Sequence, residues 1–288
     1  MRIISDQQEF KSFCEEISVE KVIFMDTEFY RRKTYYAKLS LVQVATHSTK
    51  VIIDALNLSD LAPLKELLLA KNICKVFHAP DQDFDIFLHL FGKLPENIFD
   101  TQTAAGVIGL DEVMGYGRLC KQLLNVTIDK TMQNAEWLER PLTDELLEYA
   151  IKDVEYLPSL YRELSQTIER RRLWDTYNAR AKKLLDPEFY KPKIDKILKK
   201  MSYNTKLTTN SYLAYFLQLR EECAQSLDIP RSYCASDQEI VKLSQYLPTN
   251  DAELSKLNME NTPLTKGNFK KRLLDLSAGI KEMLSNQE

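Results

Sequence analysis

Four carboxylates and one phenol stand where scattered polar residues would be out of place. Asp26 and Glu28 end the apolar run Val22-Ile23-Phe24-Met25. Asp83 comes just after a second apolar run, Val76-Phe77-His78, and Tyr149 and Asp153 lie four apart on an expected helix. In an extended segment residues two apart share a face, so Asp26 and Glu28 can address one site. Residues four apart on a helix also share a face, so Asp153 can supply a ligand while Tyr149 orients a water. Carboxylates gathered at strand ends and on a facing helix make a cage for hard divalent cations. Two such cations about 3.5–4 Å apart drive in-line attack on a phosphodiester.

Each of these features also has an ordinary reading. With 42 acidic residues in 288, an Asp-x-Glu spacing arises readily by chance, and two acids at a strand end need no ligand. Tyr149 and Asp153 alone describe a core tyrosine beside a solvated aspartate on an amphipathic helix. Asp83 has rivals in Asp81 and Asp85. The three cannot all face one site, and at least one is helix-start charge that suits the helix dipole. The residues alone do not choose among them. His78 reads as a satisfied histidine at a strand end that can also reach a substrate. Neither it nor His47 comes with a usable nucleophile triad. Only 7 glycines occur and no Gly-rich phosphate loop is present, which argues against a P-loop nucleotide hydrolase.

The elements that must position these residues alternate over the first 110 positions. Strands are expected at 22–25, 39–45 and 50–54, too close together for a helix between the last two, so this part of the sheet starts antiparallel. A helix over 61–69, a strand over 75–78, a helix over 81–91 and a strand over 97–99 follow, which implies parallel pairing. The result is a mixed α/β sheet flanked by helices. Beyond residue 101 the pattern turns helical. Thr143 is the expected cap of a helix that runs toward 173 and is interrupted at Pro158. Asp186-Pro187 marks a boundary, and a lysine-rich linker follows. From about residue 208 the apolar spacing is that of a small all-α bundle, with Tyr212, Tyr215, Phe216 and Leu219 in its first helix.

The hydrophobic content of 44% supports a sizeable core, and no run approaches the roughly 18 apolar residues of a membrane span. No signal peptide is expected, since the N-terminus soon turns acidic. Five scattered cysteines without a Cys-x-x-Cys pair argue against a disulfide framework or a zinc site and for a reducing cytoplasm. The net charge of −3 does not advertise a nucleic-acid binder. Two basic patches could hold phosphates: Arg31-Arg32-Lys33 with Lys38, and the stretch from Lys191 to Lys206 with six lysines against Asp195.

Taken together the motifs follow a known order. Phe24-Met25-Asp26-Thr27-Glu28-Phe29, Lys33-Thr34-Tyr35-Tyr36 and Leu39-Ser40-Leu41-Val42-Gln43 resemble the first block of the ribonuclease D family. Val76-Phe77-His78-Ala79 with Asp83, then Asn97 to Gln102, resemble its second. Leu124, Asp129-Lys130, Trp137 and Arg140-Pro141-Leu142 lead to Tyr149-Ala150-x-x-Asp153, its third. The set resembles the DEDD exonuclease superfamily in its tyrosine form, because position 148, where the histidine form would differ, is Glu. The resemblance selects Asp83 among its neighbours, five residues after His78. It implies an RNase H-like fold over residues 1–185, a basic linker over 186–207 and an HRDC-like helical domain over 208–288. The last is similar to HRDC through Leu219-Arg220-Glu221-Glu222, Asp228-Ile229-Pro230-Arg231, Ser236-Asp237 and Leu247-Pro248-Thr249.

The resemblance further implies two Mg²⁺ or Mn²⁺ ions held by Asp26, Glu28, Asp83 and Asp153, with Tyr149 as the fifth catalytic residue. Phe29, Arg32, Tyr36, Gln43 and His78 become the candidate substrate contacts. The expected activity is stepwise 3′–5′ removal of 5′-mononucleotides from RNA, including tRNA precursors with 3′ trailers, by a cytoplasmic monomer. A DNA exonuclease of the same superfamily and an inactive RNA-binding scaffold are the alternatives. Three departures bear on substrate: Ala37 stands where proline is frequent, Gln133-Asn134-Ala135-Glu136 replaces a hydroxyl residue and aspartate, and the chain has length for one HRDC unit where some members carry two.

Overall fold

The structure is a computed structural model and describes residues 2–128, 132, 135–205, 212–259 and 262–286. Asp129, Lys130, Gln133, Asn134 and Lys206, and the expected boundary at 207/208, lie outside the described residues. Two compact units emerge: Met1–Tyr30 with Ala37–Tyr190, and Arg31–Tyr36 with Lys191–Glu288.

The first unit runs β1 (Arg2–Ile4), α1 (Gln7–Ile17), β2 (Val22–Tyr30), β3 (Lys38–Ala45), β4 (Lys50–Asp54), α2 (Ala62–Leu69), β5 (Cys74–Phe77), α3 (Asp81–Phe91) and β6 (Ile98–Asp100). Among the described residues five α-helices follow: α4 (Thr101–Val107), α5 (Tyr116–Leu124), α6 (Asp144–Glu155), α7 (Leu157–Arg170) and α8 (Trp174–Ala181). The strands form one six-stranded sheet in the order β1-β4-β3-β2-β5-β6. β2, β3 and β4 pair antiparallel, while β5 and β6 continue parallel from β2. The expected mixed sheet is present, with one addition: β1 pairs parallel to β4 and closes the far edge. Three residues are too few for a period to register. α1 did leave a signal, since Phe10, Phe13, Cys14 and Ile17 make a helical stripe behind the capping carboxylate of Asp6.

Alternation along β2 divides the core. Ile23 and Met25 pack under α1, α2 and α3 with Phe84 and Phe87. Phe24 packs on the other face with Leu119, Leu157 and Leu160. Asp26 and Glu28 continue the Phe24 side beyond that apolar cluster. There β3 and β4 carry a smaller cluster, Leu41 and Ile52, closed by Trp137, Leu147 and Ala150.

α6 begins at the Thr143 cap, whose hydroxyl accepts from the Leu146 N–H at 3.3 Å. The break before α7 puts Pro158 at that helix's second position, where its missing N–H costs nothing.

The second unit is helical: α9 (Ile194–Thr205), α10 (Leu213–Leu227), α11 (Arg231–Cys234), α12 (Asp237–Tyr246), α13 (Asp251–Ser255) and α14 (Gly267–Ser285). Its core joins Phe216, Leu217 and Cys223 to Ile240, Leu243, Leu273 and Ile280. The stretch expected as a basic linker is instead mostly α9. Ile194, Ile197, Leu198 and Met201 form a stripe packed on this core, and the interleaved lysines hid it. Among the described residues no helix is long and apolar enough to cross a membrane.

Candidate active site

β2 and α6 together build an acidic cluster. Asp26 and Glu28 leave one face of β2, and Asp153 comes from the third turn of α6, which packs over β2, β3 and β4. Carboxylate oxygens of Asp26, Glu28 and Asp153 all lie within 4.8 Å of one another, and all three residues are half-buried. Asp83, the third position of α3, is buried and stands outside that trio. It accepts a short hydrogen bond from the Thr27 hydroxyl, which leaves β2 on the opposite side from Asp26 and Glu28. Asp81 is exposed and Asp85 half-buried, so burial separates Asp83 from its rivals.

The electrostatics follow from burial first and from unbalanced charge second. Burial raises the Asp26 carboxyl well above the usual carboxylate range, and Asp83, Asp153 and Glu28 push it further. Burial and then Asp153 and Asp83 raise Glu28 to about 9. Burial also raises Asp83, to about 6, against the pull of the hydrogen bonds from Thr27. Every charged side chain among these influences is acidic. Such a cluster takes up either protons or cations, and an all-oxygen donor set suits hard divalent ions.

Tyr149 precedes Asp153 by one turn, half-buried, with its ring centroid 6.2 Å from that of Trp137. Gln43 is the register partner of Asp26 across β2 and β3, so the two side chains share a face. Gln43 is fully buried, and its amide finds no hydrogen-bond partner among the described residues. A buried amide beside the cluster is suited to a water or a ligand oxygen there.

The other candidate contacts are Phe29, Arg32, Tyr36 and His78. Phe29 is turned away by strand alternation and packs on the α1–α3 core. Arg32 and Tyr36 lie in the segment Arg31–Tyr36, which groups with the second unit. His78 shares a hydrogen bond of 2.9 Å with the Thr101 hydroxyl and packs 5.5 Å from the Tyr116 ring. The bend after it is pinned by Asp100, which accepts from the Ala79 N–H at 2.8 Å.

Several supporting residues have little or no signal in the sequence. Thr27 lay inside the motif with its hydroxyl unassigned. Tyr116 donates to the Lys152 carbonyl at 3.0 Å and accepts from the Tyr156 N–H at 3.2 Å, which anchors the turn bearing Asp153. Nothing in the sequence singles it out. Asp54, at the end of β4, is gripped by Arg140 through two hydrogen bonds of 2.7 Å. Its place at a strand end was the available signal.

Comparison with known proteins agrees with this geometry. Residues 1–169 match the family described as 3′-5′ exonuclease, and residues 212–266 match the HRDC domain. Ribonuclease D of Gluconacetobacter diazotrophicus is 31% identical over 286 residues, covering 98% of this chain and 72% of that protein. Ribonuclease D of Sphingobium indicum is 33% identical over 259 residues, covering 88% of this chain and 66% of that protein. The crystal structure of Escherichia coli RNase D, described as an exoribonuclease involved in structured RNA processing, superposes with a TM-score of 0.81 at 27% identity. It covers 97% of this chain and 75% of that one. The chain thus spans about two thirds to three quarters of the length of these relatives. The 3′-5′ exonuclease family is dependent on divalent metal. This chain belongs to the ribonuclease D family of 3′–5′ exoribonucleases, with the family's RNase H-like exonuclease fold followed by an HRDC domain.

Proposed function

We propose that this chain removes 5′-mononucleotides one at a time from RNA 3′ ends, with tRNA precursors carrying 3′ trailers among its substrates. The observation that carries this reading is the convergence of Asp26, Glu28 and Asp153, with Tyr149 one turn away on the same helix face. Asp26, Glu28 and Asp153 would hold one divalent ion, and Asp26 with Asp83 a second. When bound, Mg²⁺ or Mn²⁺ would supply a water acidic enough to ionise near neutral pH and would stabilise the leaving 3′-oxygen. Tyr149 orients the attacking water through its hydroxyl. The Thr27 hydroxyl fixes the rotamer of Asp83, and Gln43 supplies a buried amide beside Asp26.

The reading extends to a cytoplasmic monomer. The five cysteines are all free thiols, as a reducing compartment favours. The similarity to RNase D of E. coli, with its role in structured RNA processing, supports an RNA 3′ tail as the substrate.

A 3′-labelled RNA with a single-stranded tail tests it. EDTA stops release of labelled mononucleotide, and Mg²⁺ or Mn²⁺ restores it. A matched DNA oligonucleotide separates sugar preference from chemistry. Cleavage that persists in EDTA, or oligonucleotide products from internal cuts, would overturn the proposal.

A further inference from the structure

Arg140 uses all of its donors on one junction. Its Nε and Nη2 grip the two oxygens of Asp54 at 2.7 Å each, and Nη2 also reaches the Ser40 hydroxyl at 3.0 Å. Its Nη1 donates to the carbonyls of Trp137 and Glu139, both at 2.8 Å. A guanidinium has five N–H bonds, and five hydrogen bonds are made here. The Ser40 hydroxyl in turn donates to the Trp137 carbonyl. Asp54 is 5% exposed, so this pair is not a solvated surface bridge.

The strands are shaped for the junction. Glu28 pairs with Leu41 and Phe29 with Leu39, which leaves Ser40 without a partner on β2. A bulge of this kind re-aims a side chain, and the Ser40 hydroxyl is the one delivered to Trp137. The row that starts at Glu28 continues through Leu41 to Asp54, so the clasp stands on the same face as the acids. Trp137 itself is 3% exposed and lies at 35° to the ring of Tyr149.

We propose that Arg140 is a positioning residue for Tyr149. With Asp54 and Ser40 it clamps the Trp137 backbone, the clamped indole packs against the phenol, and the phenol is held in one orientation toward the attacking water. The proposal rests on the reading of Tyr149 as the residue that orients that water. A rigid neighbour matters because small displacements of an orienting group lower the rate sharply.

Arg140→Lys keeps the charge and loses the fork. The expected result is a fall in kcat of about tenfold to a hundredfold with KM for RNA unchanged. In a Tyr149→Phe background the same substitution has less than about a twofold effect, because the group it positions is gone. A second readout needs no turnover. The chain has two tryptophans, so in a Trp174→Phe background the emission belongs to Trp137, and Arg140→Lys shifts it to the red. Ser40→Ala, a milder change, shifts both readouts in the same direction and serves if Arg140→Lys does not fold. Equal losses of kcat in the two backgrounds, or unchanged emission, overturn the positioning role. An unchanged kcat in Tyr149→Phe alone overturns the reading of Tyr149 and the proposal with it, and is told apart because it appears without any change at Arg140.

Discussion

Thr27 donates its hydroxyl to Asp83 from the strand position between Asp26 and Glu28. One tripeptide therefore addresses both sides of β2: two carboxylates face α6, and the hydroxyl between them holds the carboxylate of α3. The alternation of a strand does this, and the register against β3 shifts only after Glu28.

Replacing that hydroxyl tests its role. Thr27→Val keeps the shape and leaves buried Asp83 short of a partner, at a cost of roughly 1–3 kcal/mol in stability. Denaturant unfolding measures the loss. The same variant should need more Mg²⁺ for half-maximal rate, because Asp83 loses its side-chain donor and keeps only backbone ones. A wild-type metal requirement would show that Asp83 is positioned by other contacts.

The acids and the phenol should differ in severity. Asp26→Asn removes charge from both proposed ions, so turnover falls below detection while binding of RNA stays largely intact. Tyr149→Phe leaves the ions in place and lowers kcat by roughly 10²-fold, the lower end for a positioned proton-handling group. Single-turnover kinetics and filter binding compare the two. Substantial residual cleavage by Asp26→Asn would contradict the assignment.

Stability should fall with rising pH in the absence of metal, and divalent cations should offset that fall. Glu28 has a folded pKa raised to about 9 from an ordinary value of 4.5, and Asp83 one raised to about 6 from 3.8. An acid whose folded pKa is raised stabilises the fold fully only below its unfolded pKa, where both states are protonated. That contribution is lost as pH rises, between 3.8 and about 6 for Asp83 and between 4.5 and about 9 for Glu28. In EDTA the melting temperature should therefore decline across this window. Divalent cations favour the deprotonated acids, so the rise in Tm on adding Mn²⁺ should be larger at pH 8 than at pH 5.5. A metal effect independent of pH would place the ions elsewhere.

Gln43→Leu should separate fold from function. The buried amide makes no hydrogen bond among the described residues, so an apolar side chain of similar size costs little or raises Tm. If the amide serves a water or ligand oxygen beside Asp26, kcat falls in the same variant. A marked loss of stability would mean that the amide is satisfied within the protein.

The sequence carried the elements with period and the acids with position. β4 and α3 stand at their expected bounds, and the Thr143 cap and Pro158 break bracket α6 and the start of α7. The period failed where composition masked it, as in α9, whose lysines concealed an apolar stripe. Side-chain direction beyond regular alternation was not legible. The Ser40 hydroxyl meets a carbonyl 97 positions away and Arg140 grips Asp54 86 positions away, relations that no local pattern encodes. Asp83 could be chosen from its neighbours only by resemblance, and burial in the folded chain supplies the physical reason.

Anomalous diffraction from crystals soaked in Mn²⁺ locates any ions that the acidic cluster holds. Two peaks are expected about 3.5–4 Å apart, one ligated by Asp26, Glu28 and Asp153 and the other by Asp26 with Asp83 directly or through water. Mn²⁺ bound elsewhere with that cluster empty, in a crystal of active enzyme, would contradict the two-ion assignment.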